Sequence, residues 1–98
     1  MTKSLRFPAI FLLITAFSSI VSAQNIDRIE PPSWFTGMKE TALQLMVYGK
    51  EIGSFGVSAE YPGVKITTIV KTENPNYLFV NLDISRQAVP GDIRLTFT

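Results

Sequence analysis

Neither cysteine nor histidine occurs in the 98 residues. The first absence removes disulfides and thiolate nucleophiles. Together they remove the usual zinc, iron and copper ligands, and with them every Ser-His-Asp or Cys-His catalytic arrangement. A phosphate-cradling loop is also missing: the six glycines stand apart, and in EIGSFG the pair Gly53 and Gly56 precedes neither a Lys-Ser/Thr dipeptide nor a helical pattern. Charge is sparse and balanced, with 9 basic against 8 acidic side chains, which is neither a nucleic-acid nor an anionic-membrane footprint. No Asn-x-Ser/Thr site, internal repeat or low-complexity tract is present. No metal and no cofactor are expected.

Paired carboxylates remain open in principle, because glycoside chemistry needs only two of them at a set separation. Asp27, Glu30, Glu40, Glu51, Glu60, Glu73, Asp83 and Asp92 are available. They are scattered singly over positions expected to face outward or lie in loops, so they read as solvated surface charge. No catalytic residue is assigned.

The opening MTKSLRFPAIFLLITAFSSIVSAQ has the three parts of a secretory leader: Lys3 and Arg6 at a positive start, an apolar run from Phe7 to Val21, and the small-residue site Val21-Ser22-Ala23 before Gln24. A membrane span needs about 20 apolar residues, and this run is shorter and interrupted by Thr15, Ser18 and Ser19. The expected organisation is a signal peptide over 1–23, cleaved after Ala23, and one domain over 24–98. The product is then periplasmic or secreted, with no membrane attachment after cleavage. Its seven basic and eight acidic side chains leave it near neutral. A domain of this size buries only about 60% of its unfolded surface.

From Ala42 onward apolar residues alternate with polar ones, the period of strands with one buried face. Leu43, Leu45 and Val47 share a side, as do Val57, Ala59 and Tyr61. In VKITTIVKT the expected inner set is Val64, Ile66, Thr68 and Val70. Leu78, Val80, Leu82 and Ile84 form another set, and Ile93, Leu95 and Phe97 the last. Turn clusters separate them at Tyr61-Pro62-Gly63, Glu73-Asn74-Pro75-Asn76 and Val89-Pro90-Gly91-Asp92. Lys39 to Val47 is also rich in helix formers, so both strand and helix are open there. Short strands between turns predict an all-β, immunoglobulin-like antiparallel β-sandwich. About six strands can be counted including IDRIE, against about seven for that fold. The last run ends at Thr98 without a partner, so the sandwich is expected to lack its last strand, as a fragment or as the acceptor of a strand from another molecule.

Aromatics are plentiful for so small a domain. Phe97 belongs to the inner set. Phe79 lies on the face opposite Leu78 and Val80 and is a candidate for a docking surface. Trp34 follows Pro31-Pro32, which favours an extended chain, and both core packing and an interface role are open to it.

The stretch IDRIEPPSWFTGMKETALQLMVYGKEIG resembles the start of the N-terminal immunoglobulin-like domain of cyclomaltodextrinases and neopullulanase-type enzymes of the alpha-amylase family. The resemblance rests on Glu30-Pro31-Pro32, Trp34, Gly37-Met38, Leu43-Gln44-Leu45-Met46-Val47 and Tyr48-Gly49-Lys50. It implies a non-catalytic accessory module of a secreted hydrolase acting on alpha-1,4 linkages in cyclodextrins, maltooligosaccharides or pullulan. The catalytic carboxylates of such enzymes lie in a (β/α)8 barrel, which is the expected partner, in the same or a companion chain; a homodimer and an alpha-glucan are further partners it allows. On this reading Trp34, Phe35, Met38 and Phe79 are interface or sugar-contact candidates, and Pro31, Pro32, Gly37, Tyr48 and Gly49 form the structural motif. Pro31-Pro32 would hold the exit of the first strand extended, Trp34 and Phe35 would supply an apolar anchor, Gly37 would let the chain turn, and Met38 would fill an irregular gap. A free-standing carbohydrate-binding module and a β-augmentation assembly domain are the alternatives. If the leader is processed as expected, the exported protein begins at Gln24, which N-terminal sequencing or intact mass checks; a product still beginning at Met1 would refute it.

Overall fold

A computed structural model of the chain describes residues 2–6 and 26–98. The apolar run Phe7 to Val21 and the expected cleavage site lie outside them. The described residues form seven strands and one 3₁₀ turn: β1 (Thr2–Arg6), β2 (Arg28–Glu30), β3 (Ala42–Tyr48), the turn Ile52–Ser54, β4 (Val57–Glu60), β5 (Val64–Lys71), β6 (Tyr77–Ile84) and β7 (Asp92–Phe97). They make two antiparallel sheets in the orders β1-β7-β4 and β2-β3-β6-β5. The expected all-β immunoglobulin-like sandwich is therefore the observed one. In its constant-type form that fold has sheets ordered A-B-E-D and C-F-G. Strands β2, β3, β6 and β5 take the first four places, and β4 and β7 take C and F. Strand β1 lies on the free side of β7, in the place of G.

The alternation dictates the core. Leu43, Leu45 and Val47 face inward from β3, Leu78, Val80, Leu82 and Ile84 from β6, and Ile93, Leu95 and Phe97 from β7. Full registers link them: Leu43 to Leu82, Leu45 to Val80 and Val47 to Leu78. This pairing settles Lys39 to Val47. A helix there would turn Leu45 away from Leu43 and Val47, whereas a strand buries all three against β6. Val57, Ala59 and Tyr61 pack on the cluster half-buried, at the sandwich rim.

Strand β5 departs from the expected alternation. Its register against β6 shifts between Ile66 and Thr68, and this bulge moves every later side chain to the opposite face. Ile69 turns inward in place of Thr68, and Val70, expected inside, is exposed. A second departure concerns the last strand, which is not an edge. Strand β7 pairs with β4 on one side and with β1 on the other. Leu5 of β1 reaches the core and is sealed from water together with Ile52 of the 3₁₀ turn. Neither had been assigned to the core from the sequence.

The turns are held by specific polar contacts. At Tyr61-Pro62-Gly63-Val64, Gly63 takes a φ of 88° and the Val64 amide donates to the Tyr61 carbonyl at 3.0 Å, the pattern of a turn that needs positive φ at its third residue. In the β5–β6 loop the Asn74 side chain accepts from the Asn76 amide at 3.0 Å. The Asn76 side chain accepts from the Glu51 amide at 2.9 Å, and Glu51 has a φ of 56°. The β5–β6 and β3–β4 loops are thereby tied together, with Gly53 donating to the Pro75 carbonyl at 2.8 Å.

At the opposite end the Tyr61 hydroxyl donates to the Val89 carbonyl. A Cβ on Gly91 would fall 2.3 Å from that hydroxyl. Gly91→Ala is therefore expected to destabilise the domain by about 1–3 kcal/mol through overpacking. Urea unfolding should show a lower midpoint at unchanged slope; an unchanged midpoint would mean that the Tyr61 contact yields freely.

Candidate functional site

The two outer faces of the sandwich differ in chemistry. On the four-stranded sheet the outward residues form rows across the strands, set by the registers of β2, β3, β6 and β5. One end row is Arg28, Tyr48 and Tyr77. The tyrosine rings lie 4.9 Å apart at 46°, and the Arg28 guanidinium stands 5.8 Å over Tyr48, within cation–π range. Its Nε lies 3.9 Å from the Glu30 carboxylate, with both side chains more than half exposed, so the pair contributes little to stability.

The next row is Glu30, Met46, Phe79 and Val70. Met46 and Phe79 are half-buried and Val70 is exposed. Polar rows follow: the Gln44 amide donates to Asn81 Oδ1 at 2.9 Å, and Thr41 donates to Asp83 at 2.8 Å. The result is an aromatic and aliphatic band at one end of the face, graded into a hydrogen-bonded polar end.

The described side chains on the outer face of the three-stranded sheet form no such band. Ser4, Glu60, Asp92, Arg94 and Thr96 line an open trough of about 320 Å³ there. Glu60 and Asp92 are exposed, as is every described carboxylate except the half-buried Asp83.

The remaining sequence candidates lie between β2 and β3. Trp34 is half-buried and packs against the core cluster. Phe35 stays 56% exposed, with its ring 6.1 Å from that of Trp34 at 53°. The anchor is thus Trp34 alone. Met38, expected to fill a gap, is exposed on this domain. Gly37 has a φ of 74°. At Pro31-Pro32 the chain bends, with a cis Glu30–Pro31 peptide, instead of continuing extended. Gly49 is buried, and its amide donates to the Asn76 carbonyl at 3.0 Å.

Of the sequence candidates, the structure brings Tyr48 and Phe79 onto one face. It leaves Trp34, Phe35 and Met38 in a separate loop segment. Met46, Tyr77 and Val70 complete the band and were not singled out. Alternation places Met46 with Tyr48 and Tyr77 with Phe79, so two of the three had a signal; Val70 had none, because its orientation depends on the bulge. Trp34→Ala should cost about 1.5–3 kcal/mol, below the range for a wholly buried aromatic, measured by denaturant unfolding. A loss of 5 kcal/mol or more would place the ring in the core proper.

Comparison with known families converges on the same domain. A family model described as the N-terminal domain of cyclomaltodextrinase matches residues 28–98, spanning β2 to β7 and leaving β1 outside. This chain belongs to the cyclomaltodextrinase N-terminal domain family.

Proposed function

We propose that the chain is a non-catalytic accessory module of a secreted or periplasmic alpha-glucan hydrolase, and that it docks on a catalytic (β/α)8 barrel through the outer face of its four-stranded sheet. An N-terminal domain of this glycoside hydrolase family is not itself catalytic, and the family usually sits with a catalytic barrel in the same chain. The observation that carries the reading is the band of Met46, Tyr48, Val70, Tyr77 and Phe79, on a sandwich whose other outer face is polar. Half-buried aromatics that need no further partner for folding are suited to the centre of a protein interface. Cyclodextrins, maltooligosaccharides or pullulan are the substrate class, and their cleavage belongs to the barrel. Export follows from the leader.

Two measurements test this. The chain alone should release no reducing sugar from β-cyclodextrin, maltoheptaose or pullulan; measurable hydrolysis abolished by a carboxylate substitution here would overturn the non-catalytic role. Reading the gene beyond the codon for Thr98 should reveal an amylase-type barrel in frame or in a neighbouring gene, and finding neither would remove the docking partner.

A second reading, a free-standing carbohydrate-binding module, is favoured by the exposed Phe35 ring tilted on Trp34. It predicts a saturable change in tryptophan fluorescence with maltoheptaose. The accessory reading predicts a flat titration.

A further inference from the structure

Strand β5 is an outer member of the four-stranded sheet, and no described strand lies on its other side. It carries one residue more than its partner takes up. Val64 to Lys71 are eight residues, set against the seven from Leu78 to Ile84. Both ends are held. Near Val64 the Ser85 amide donates to the Gly63 carbonyl at 2.7 Å. Beyond Lys71 the Asn74 carbonyl accepts from the Tyr77 amide at 3.2 Å and from the Thr72 hydroxyl at 3.0 Å. The surplus therefore stays inside the strand. It falls at Thr67, between the pairs Ile66–Leu82 and Thr68–Asn81, where the Thr67 hydroxyl donates to the Asn81 carbonyl at 3.2 Å.

The sandwich has no need of that residue. Without Thr67 the same pairs stand in an unbroken ladder: Ile66 opposite Leu82, Thr68 opposite Asn81, Ile69 opposite Val80 and Val70 opposite Phe79, with Ile66 and Ile69 still toward the core. Its effect falls on the outer edge. The Ile84 amide donates to the Thr41 carbonyl at 2.8 Å, so alternation turns the backbone groups of Ile84, Leu82, Val80 and Leu78 to β3, and those of Asp83, Asn81 and Phe79 to β5. On β5, Lys65, Thr68 and Val70 then face β6, while Ile66, Ile69 and Lys71 present their amides and carbonyls outward. A straight strand spaces such groups two residues apart. The bulge sets Ile66 and Ile69 three apart, out of step with any regular partner.

We infer that the bulge at Thr67 guards the outer edge of β5 against pairing with a second copy of this chain. That partner is favoured because the strand without Thr67 is self-complementary about Thr68. Laid antiparallel on its own copy, it puts Ile66 opposite Ile69, Lys65 opposite Val70 and Thr68 opposite Thr68. Outward backbone groups then meet outward backbone groups, no like charges stand opposite, and two four-stranded sheets join across a twofold axis. A strand this long and this rich in Val, Ile and Thr is an edge that invites such pairing. The edge is distinct from the outer face proposed above for docking, and its protection does not depend on what that face meets.

The test deletes Thr67 from the full chain and follows mass against concentration by analytical ultracentrifugation. The shortened chain should dimerise with a dissociation constant about tenfold or more below that of the unaltered chain. Thr68→Lys and Thr68→Glu, each made in the shortened chain, set like charges opposite each other and should each abolish the gain. An equimolar mixture of the two should restore it as a mixed pair. Retention of the faces is read separately, since the chain has no cysteine and a single one can be introduced as a reporter. At low concentration, with or without Thr67, Val70→Cys should react with a maleimide about tenfold or more faster than Ile69→Cys. An unchanged dissociation constant on deletion, a gain that survives Thr68→Lys and Thr68→Glu, or a mixture that stays monomeric would overturn the inference. Failure of the shortened chain to fold, or reversed labelling in it, would make Thr67 integral to the sandwich and overturn it equally.

Discussion

The fold depends on one constraint, that the inner faces of β3 and β6 meet the inner face of β7 with no polar group between them. Leu45, Val47, Leu78, Val80, Ile93 and Leu95 are sealed from water. Burying each such side chain is worth about 1.5–3 kcal/mol. With no cysteine and so no disulfide, this apolar contact supplies most of the driving force against chain entropy. Every register in the sandwich keeps these residues inside, because a slip of one position would carry a whole set into solvent.

Around that core the polar contacts fix geometry more than they add stability. Asn76 receives the Glu51 amide on one loop while its own carbonyl receives Gly49. Tyr61 closes the other end onto Val89. Each such bond contributes about 1 kcal/mol net. Together they hold the turns so that β6 meets β3 and β5 in register, and the outward side chains then fall into rows. The docking band is thus a consequence of the inner register: with Leu45 opposite Val80 and Val47 opposite Leu78, Met46 must stand opposite Phe79 on the other face.

The two sheets solve their outer faces differently. The four-stranded sheet is wide enough to carry both an aromatic band and a hydrogen-bonded polar end. The three-stranded sheet is polar outside and owes its third member to a strand from beyond the family domain. Strand β1 covers the backbone groups on that side of β7.

Much of this was legible in the sequence, for a physical reason: the two-residue period of a strand needs no long-range information. The inner sets on β3, β6 and β7 and the outward position of Phe79 follow from that period alone, and the three turn clusters from their proline, glycine and asparagine residues. The run Glu30 to Lys50 further carried the family resemblance that the match to residues 28–98 bears out. Other features were decided only in three dimensions. The bulge in β5 reversed the orientation of Val70, and nothing local in VKITTIVKT marks where a register will shift. Separation of Trp34 from Phe35 depended on which side of an irregular segment met the core. The partner of β7 depended on residues more than eighty positions away in the chain. Local periodicity determines which face of a strand is apolar; which strand lies beside it is a property of the assembled sheet.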